Sequence, residues 1–338
     1  MPTKLSQVAG FTGVSEATVR RVLNGTGSVA PATRDLVLTA LDVFGLPRPA
    51  ARRTERAPLV GLVVPDLQNP VFPAFAEALA GRLTRHGLVP VLCTRTADGV
   101  SEANYVAMLL ARNIGGIVLT GSSLADAGPA QRRALRTRGV PTVLVNAADE
   151  NADVAQVRAD DGHAARQALA HLAALGHERI GLLLGPVGHA PSARKLLAYA
   201  ADRAAAGWSR EEWRPLVAHA MFSLEGGATA VAGLLGRGAT AVVCASDALA
   251  LGAVRGARRR GLDVPRDLSV VGFDDSPYMV ATDPPLTTSR QPVRAMAAVA
   301  VTTLLRQLDG HAVGEEPVLF ETELIIRGST AARGLPRV

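Results

Sequence analysis

Aromatic residues make up only 4% of this 338-residue chain, so its cores must be built mostly from Ala, Val and Leu. Cysteine occurs twice, as Cys93 in LVPVLCT and Cys244 in AVVCAS. Both lie in apolar runs that read as buried strands far apart in sequence, which speaks against a disulfide or a metal role. No apolar run reaches the ~20 residues needed to cross a bilayer. The opening MPTKLSQVAGF also lacks the charged head, apolar middle and small-residue cleavage site of a secretory signal, so a cytoplasmic protein with no membrane partner is expected. What is present is a hydrophobic content of 48% with charge spread along the chain, which excludes a disordered protein and allows two or three folded domains.

The net charge of +6 is unevenly placed. Residues 1–58 hold eight Lys and Arg against four acids, leaving 28 basic and 26 acidic residues for the rest. A basic segment on a nearly neutral body suggests a polyanionic partner for that segment alone, although a solvated basic face would look the same.

The first 46 residues read as three short helices, near 5–12, 16–24 and 31–44, with apolar stripes of Leu5, Val8 and Ala9; of Val19, Val22 and Leu23; and of Leu36, Val37, Ala40, Leu41 and Phe44. Gly13 suits the turn between the first two, Ser15 suits the N-cap of the second, and Pro31 suits the first turn of the third. Residues 46–58, LPRPAARRTERAP, contain almost nothing that can enter a core and read as a linker. Beyond it, apolar runs alternate with amphipathic helices: strands near 59–65, 88–93, 115–120 and 141–146 with helices between, then a second set with strands near 179–184, 215–219, 240–244 and 268–272. That pattern predicts two doubly wound parallel sheets forming two lobes around a cleft, with ligand held at the carboxyl ends of the strands.

No catalytic constellation or cofactor motif emerges. HLAALGH does not have the HExxH spacing, so His171 and His177 read as a helix residue and a turn residue. The glycines of GPVGHAPSARK miss the phosphate-loop spacing, NGTGSV is not GxGxxG, and Asp274–Asp275 has no accompanying His, Cys or acid cluster. The chain is expected to be no enzyme, with no cofactor and no metal.

Several stretches in the right order resemble the LacI/GalR family of repressors over nearly the whole chain. LSQVAGFTGVSEATVRRVLNGTGSVAPATRDLVLTALDVFG is similar to that family's DNA-binding headpiece. VVPDLQNPVFPAFAEAL, HLAALGHERIGLLLG, ASDALALGAVRGARRRGLDVPRDLSVVGFDD and PPLTTSRQP are similar to stretches of its effector domain. The resemblance implies a helix-turn-helix domain over 1–46, a linker over 47–58 and a periplasmic-binding-protein-like effector-binding and dimerisation domain over 59–330. In that domain lobe 1 would take about 59–157 and 290–317, and lobe 2 about 158–289 and 318–330.

The function implied is a regulator, as a rule a repressor, that binds double-stranded operator DNA as a homodimer or a tetramer under control of a small effector such as a sugar or related metabolite. With Val19, Val22 and Leu23 facing inward, Glu16, Ala17, Arg20, Arg21 and Asn24 face out. By the resemblance Glu16, Ala17 and Arg21 read bases, Arg21 gripping a guanine, Glu16 a cytosine amino group and Ala17 a thymine methyl. Ser15, Thr18, Arg20 and Asn24 would hold phosphates, and Ala30 replaces the family's usual capping Ser at a cost of about 1 kcal/mol.

For the effector, position-matching implies Phe72, Ser122, Asn146, Asp160, Lys195, Phe222, Asp247, Asp274 and Gln291. A carboxylate at a strand end can accept paired sugar hydroxyls, yet an Asp there also caps the next helix, and Phe72 also suits a core. Where the family usually has Arg followed three residues later by Gly and an aromatic, SARKLLAY offers Lys195, Ala198 and Tyr199, and a one-residue shift would bring Arg194 into that place. The linker departs most. It is about six residues shorter than the family's and has no apolar wedge between Leu46 and Leu59, so Arg48, Arg52, Arg53 and Arg56 are expected to contribute charge to DNA more than bending. A periplasmic sugar-binding protein and a regulator controlled by a protein partner are the alternatives.

Overall fold

A computed structural model describes residues 4–24, 29–44, 58–94, 100–121, 129–147, 154–312, 314 and 316–334. The chain divides into two compact units, Met1–Ala57 and Pro58–Val338. The linker arginines lie outside the described residues, as do Ser122 and the linker's sequence-based role.

In the first unit α1 (Lys4–Thr12), α2 (Glu16–Asn24) and α3 (Pro31–Val43) enclose Val8, Val19, Val22, Val37, Ala40 and Leu41. The Thr12 hydroxyl donates back to the Val8 carbonyl at 2.7 Å, and Gly13, at φ +69°, turns the chain out of α1. Ser15 Oγ accepts the Thr18 N–H at 3.2 Å, so a free donor of the first turn of α2 is capped. The stripe on α3 is narrower than its sequence suggests. Leu36 is exposed, because it lies at the edge of the arc centred on Val37, Ala40 and Leu41, and Phe44 is exposed just beyond the end of α3, where its ring meets that of Phe11 at 5.5 Å between centroids.

The second unit begins with β1 (Leu59–Val64), α4 (Val71–Arg85), β2 (Val89–Thr94), α5 (Glu102–Ala111), β3 (Gly116–Thr120), α6 (Pro129–Thr137), β4 (Thr142–Val145) and β5 (Ala155–Ala159). It crosses to α7 (Asp161–Ala174), β6 (Ile180–Leu184), α8 (Ala190–Ala205), α9 (Arg210–Trp213), β7 (Val217–His219), α10 (Leu224–Leu235), β8 (Ala241–Cys244), α11 (Asp247–Arg258), β9 (Ser269–Asp274) and β10 (Thr287–Arg290). It then returns through α12 (Val293–Leu308) and β11 (Val318–Phe320), and crosses a last time to β12 (Glu323–Ile325). No helix among the described residues is long and apolar enough to cross a membrane.

The strand orders are β2-β1-β3-β4-β5-β11 and β7-β6-β8-β9-β10-β12. All pairings are parallel except β10 with β12, which is antiparallel. Fully buried strands such as β3 (GIVLT) and β6 (IGLLL) are apolar on both faces because helices cover both sides of each sheet. In lobe 1, α12 buries Met296, Ala297, Ala300, Val301 and Leu304 beside α4.

Because Val318–Phe320 pair with β5, the third crossing follows residue 320 and not 317. The strand order reverses between β1 and β3 in one lobe and between β6 and β8 in the other, and in both lobes the chain leaves the strand ends at that point toward one cleft.

Candidate functional site

On α2, burial of Val19 and Val22 settles which face is free. Ser15, Glu16, Ala17, Arg20 and Arg21 are all exposed, and Thr18 is half-buried with its hydroxyl 2.9 Å from that of Ser15. This is an outward row of one acid, one methyl and two guanidinium groups on a helix of nine residues. Such a helix is the size that enters a major groove. Asn24 closes α2.

In the second unit a half-open cleft lies between the lobes, with about 50 Å³ of room for the centres of water-sized molecules. Phe72 and Phe222 form opposing walls, and each rests on a glycine. A Cβ on Gly121 would lie 2.4 Å from Phe72 Cε1, and one on Gly185 would lie 2.1 Å from Phe222 Cζ. Any larger residue at these strand ends would push the ring off its seat. Phe75 and Phe273 also line the cleft, so four of the chain's seven phenylalanines gather there. His189 stands edge-on to Phe222 with ring centroids 4.9 Å apart.

Polar groups are concentrated at the same strand ends. Asp274 lines the cleft at 6% exposure, with Oδ1 accepting from Gln291 Nε2 at 2.6 Å and Oδ2 without a hydrogen-bond partner among the described residues. Burial, with the charge of Asp247 adding, pushes its carboxyl well above the usual range, against the pull of the Gln291 donor and Lys195. Lys195 lies over the Phe273 ring, 3.6 Å from its centroid, and is ion-paired with Asp161. Arg194 holds the other Asp161 oxygen, its Nε at 2.8 Å.

Of the nine residues matched for the effector, Phe72, Asn146, Lys195, Phe222, Asp274 and Gln291 line the cleft, and Ser122 lies outside the described residues. The other two do not line it. Asp160 caps α7, accepting the His163 N–H at 2.8 Å. Asp247 is 1% exposed and spends both oxygens internally, Oδ1 on the Thr288 hydroxyl at 2.6 Å and Oδ2 on the Ser276 N–H at 2.7 Å. Burial pushes its carboxyl up to about 6, although both donors pull the other way.

Residues not singled out from the sequence are Asp161, Asn69, His189, Ser246 and the rings of Phe75 and Phe273. The signal for Asp161 was present as the Asp160–Asp161 pair, one residue to cap the helix and the next to face inward. Lys195 itself stands in the wall, so no one-residue shift puts Arg194 there.

Residues 4–45 match the family described as bacterial regulatory proteins, lacI family, and residues 169–330 match the periplasmic binding protein-like domain. The HTH-type transcriptional regulator MalR of Streptomyces coelicolor is 47% identical over 99% of this chain and 100% of its own. Among solved structures, the transcriptional regulator CelR–cellobiose complex is 29% identical with a TM-score of 0.70, covering 97% of this chain and 100% of its own. The lac repressor dimer bound to operator and the anti-inducer ONPF is 27% identical with a TM-score of 0.73, covering 98% and 100%. The chain therefore belongs to the LacI family of bacterial regulatory proteins and is a transcriptional regulator, not an enzyme, with a DNA-binding helix-turn-helix domain and an effector-binding domain.

Proposed function

We propose that this regulator is a cytoplasmic repressor that binds a near-palindromic operator as a homodimer and is controlled by an uncharged saccharide in the cleft. The observation that carries the effector class is the cleft itself: phenylalanine rings on both walls flank Asp274, whose Oδ2 has no partner among the described residues. Rings suit the apolar faces of a sugar, and a carboxylate suits its hydroxyls. Lys195 is the only Lys or Arg among the described residues lining the cleft, and Asp161 already neutralises it, which disfavours a phosphate or carboxylate ligand. Phe72, Asn146, Lys195, Phe222, Asp274 and Gln291 are the proposed wall, with Asp161 holding Lys195.

On DNA, Glu16, Ala17 and Arg21 read bases while Ser15, Thr18, Arg20 and Asn24 hold phosphates, with Arg52 and Arg53 adding charge from the linker. Pairing is supported by large apolar side chains left exposed, among them Val89 and Leu92 on the edge strand β2 and Tyr278 and Val280 beyond β9. The lac repressor in the structure above is itself a dimer on its operator. One experiment tests the effector class: a thermal-shift screen of neutral mono- and disaccharides, nucleosides and sugar phosphates. A neutral saccharide at 100 times its Kd should add about 2.7 kcal/mol. Silence across the whole set would favour control by a protein partner.

A further inference from the structure

Asn146 and Gln291 were matched to the effector by position, yet the structure spends their polar atoms on each other and on neighbouring groups of the protein. Asn146 follows β4 in lobe 1, at φ +52°, and its own N–H donates to the Val157 carbonyl at 2.9 Å. Its Oδ1 accepts the Ala159 N–H at 2.9 Å, its Nδ2 donates to Gln291 Oε1 at 2.6 Å, and Gln291 Nε2 donates to Asp274 Oδ1 at 2.6 Å. The direction of this chain is determined at its lobe 1 end. The Ala159 backbone N–H can only donate, so Asn146 turns its Oδ1 to it and its Nδ2 to Gln291 Oε1, which leaves Gln291 Nε2 to donate to Asp274.

The chain joins the two lobes across the crossing segment between β10 and α12. Its lobe 2 end is held rigidly: Asp275, at φ +55°, takes Arg290 and Arg327 on its two oxygens, each at 2.7 Å. Gln291 is 6% exposed, so water cannot easily replace a lost link.

We propose that Asn146 and Gln291 are positioning residues: with Asp274 they form a hydrogen-bonded relay that sets the angle between the lobes and reports ligand binding at Asp274 to lobe 1. A hydroxyl donated to Asp274 Oδ2 withdraws charge from Oδ1 and weakens its hold on Gln291. The same ligand that bridges the lobes thus loosens the link between them. The proposal rests on the cleft being the effector site, but its test needs no effector.

The test attaches spin labels to the full chain at Glu77→Cys on α4 and Glu211→Cys on α9, both exposed, while Cys93 and Cys244 stay buried and unreactive. Labelled chain is diluted in unlabelled chain and the interlobe distance distribution is measured by pulsed dipolar spectroscopy. Asn146→Ala and Gln291→Glu should each broaden the distribution. Gln291→Glu combined with Asp274→Asn reverses the donor in the last link, so it should restore a narrow distribution. Circular dichroism of each variant checks folding, and the double variant separates relay loss from general damage. Unchanged distributions in both single variants, or a double variant as broad as Gln291→Glu alone, would overturn the relay. A saccharide that binds a chain whose hinge ignores these substitutions sinks the relay alone; a responsive hinge with no saccharide bound sinks the effector class alone.

Discussion

Removing Asp161 should damage the second unit far more than removing Lys195, although the two form one ion pair. Asp161 serves two cations, the buried ammonium of Lys195 at 3% exposure and the guanidinium of Arg194 at 21%. In Asp161→Ala, Arg194 can turn to water but Lys195 is left charged and buried. Stranding one partner of a buried pair costs roughly 3–5 kcal/mol, and Asp274 nearby places this case at the lower end, about 3. In Lys195→Met, the carboxylate keeps Arg194 at 2.7–2.8 Å and an apolar chain takes the place over Phe273, so about 1 kcal/mol or less should be lost. The double variant strands neither charge and should fall near Lys195→Met, a coupling of about 3 kcal/mol. Scanning calorimetry of the full chain reads this as a drop of about 6 °C in the body's transition for Asp161→Ala and about 2 °C for the other two, at roughly 2 °C per kcal/mol for a domain this large. Equal damage from both single variants, or a double variant equal to their sum, would refute the account of the pair.

Three further outcomes are expected. Arg21→Ala should weaken operator binding by roughly 1–3 kcal/mol and relax one base preference per half-site, whereas Arg20→Ala should weaken all sequences about equally; binding selections on random DNA distinguish the two. Gly185→Ala places a Cβ where Phe222 now rests, so saccharide binding by titration calorimetry should drop at least about tenfold while the melting temperature barely moves, and unchanged affinity would show that Phe222 is no part of the wall. His177, bonded to Thr240, Ser269 and the Ala331 carbonyl, is held neutral because burial lowers its pKa. Its stabilising contribution is therefore full above the unfolded value near 6.5 and lost as pH falls through the lower folded value. His177→Asn should accordingly cost about 1–3 kcal/mol at pH 7 and less at pH 5, and a gap that stays constant in urea titrations would contradict this.

The order of elements was legible wherever a strand is an apolar run, because both sheets are covered on both faces. It was not legible in β5 (AQVRA) or β10 (TTSR). β10 is buried by hydrogen bonding and not by apolar character: Thr287 Oγ1 takes the Arg327 N–H and Thr288 donates to Asp247. The three-residue β11 and β12 are too short for a periodic signal, which is why the last crossing was placed three residues early. In the cleft, position-matching reached Phe72, Lys195, Phe222 and Asp274 because strand order carries them there. It could not separate Asp247, turned onto Thr288 and Ser276, from Asp161, turned onto Lys195, since both are acids just after a strand and only the fold shows what each side chain meets.

Linkage between cleft and operator is the most direct test of the whole account. Operator affinity is measured with and without the saccharide found by the screen, and saccharide affinity is measured with and without operator, on the same full chain and on Phe222→Ala. The account predicts that the two fold-changes in the wild-type chain are equal and lie between about 5 and 150, as a coupling of 1–3 kcal/mol requires, and that both collapse toward one in Phe222→Ala. A saccharide that binds the cleft tightly yet leaves operator affinity unchanged would contradict it.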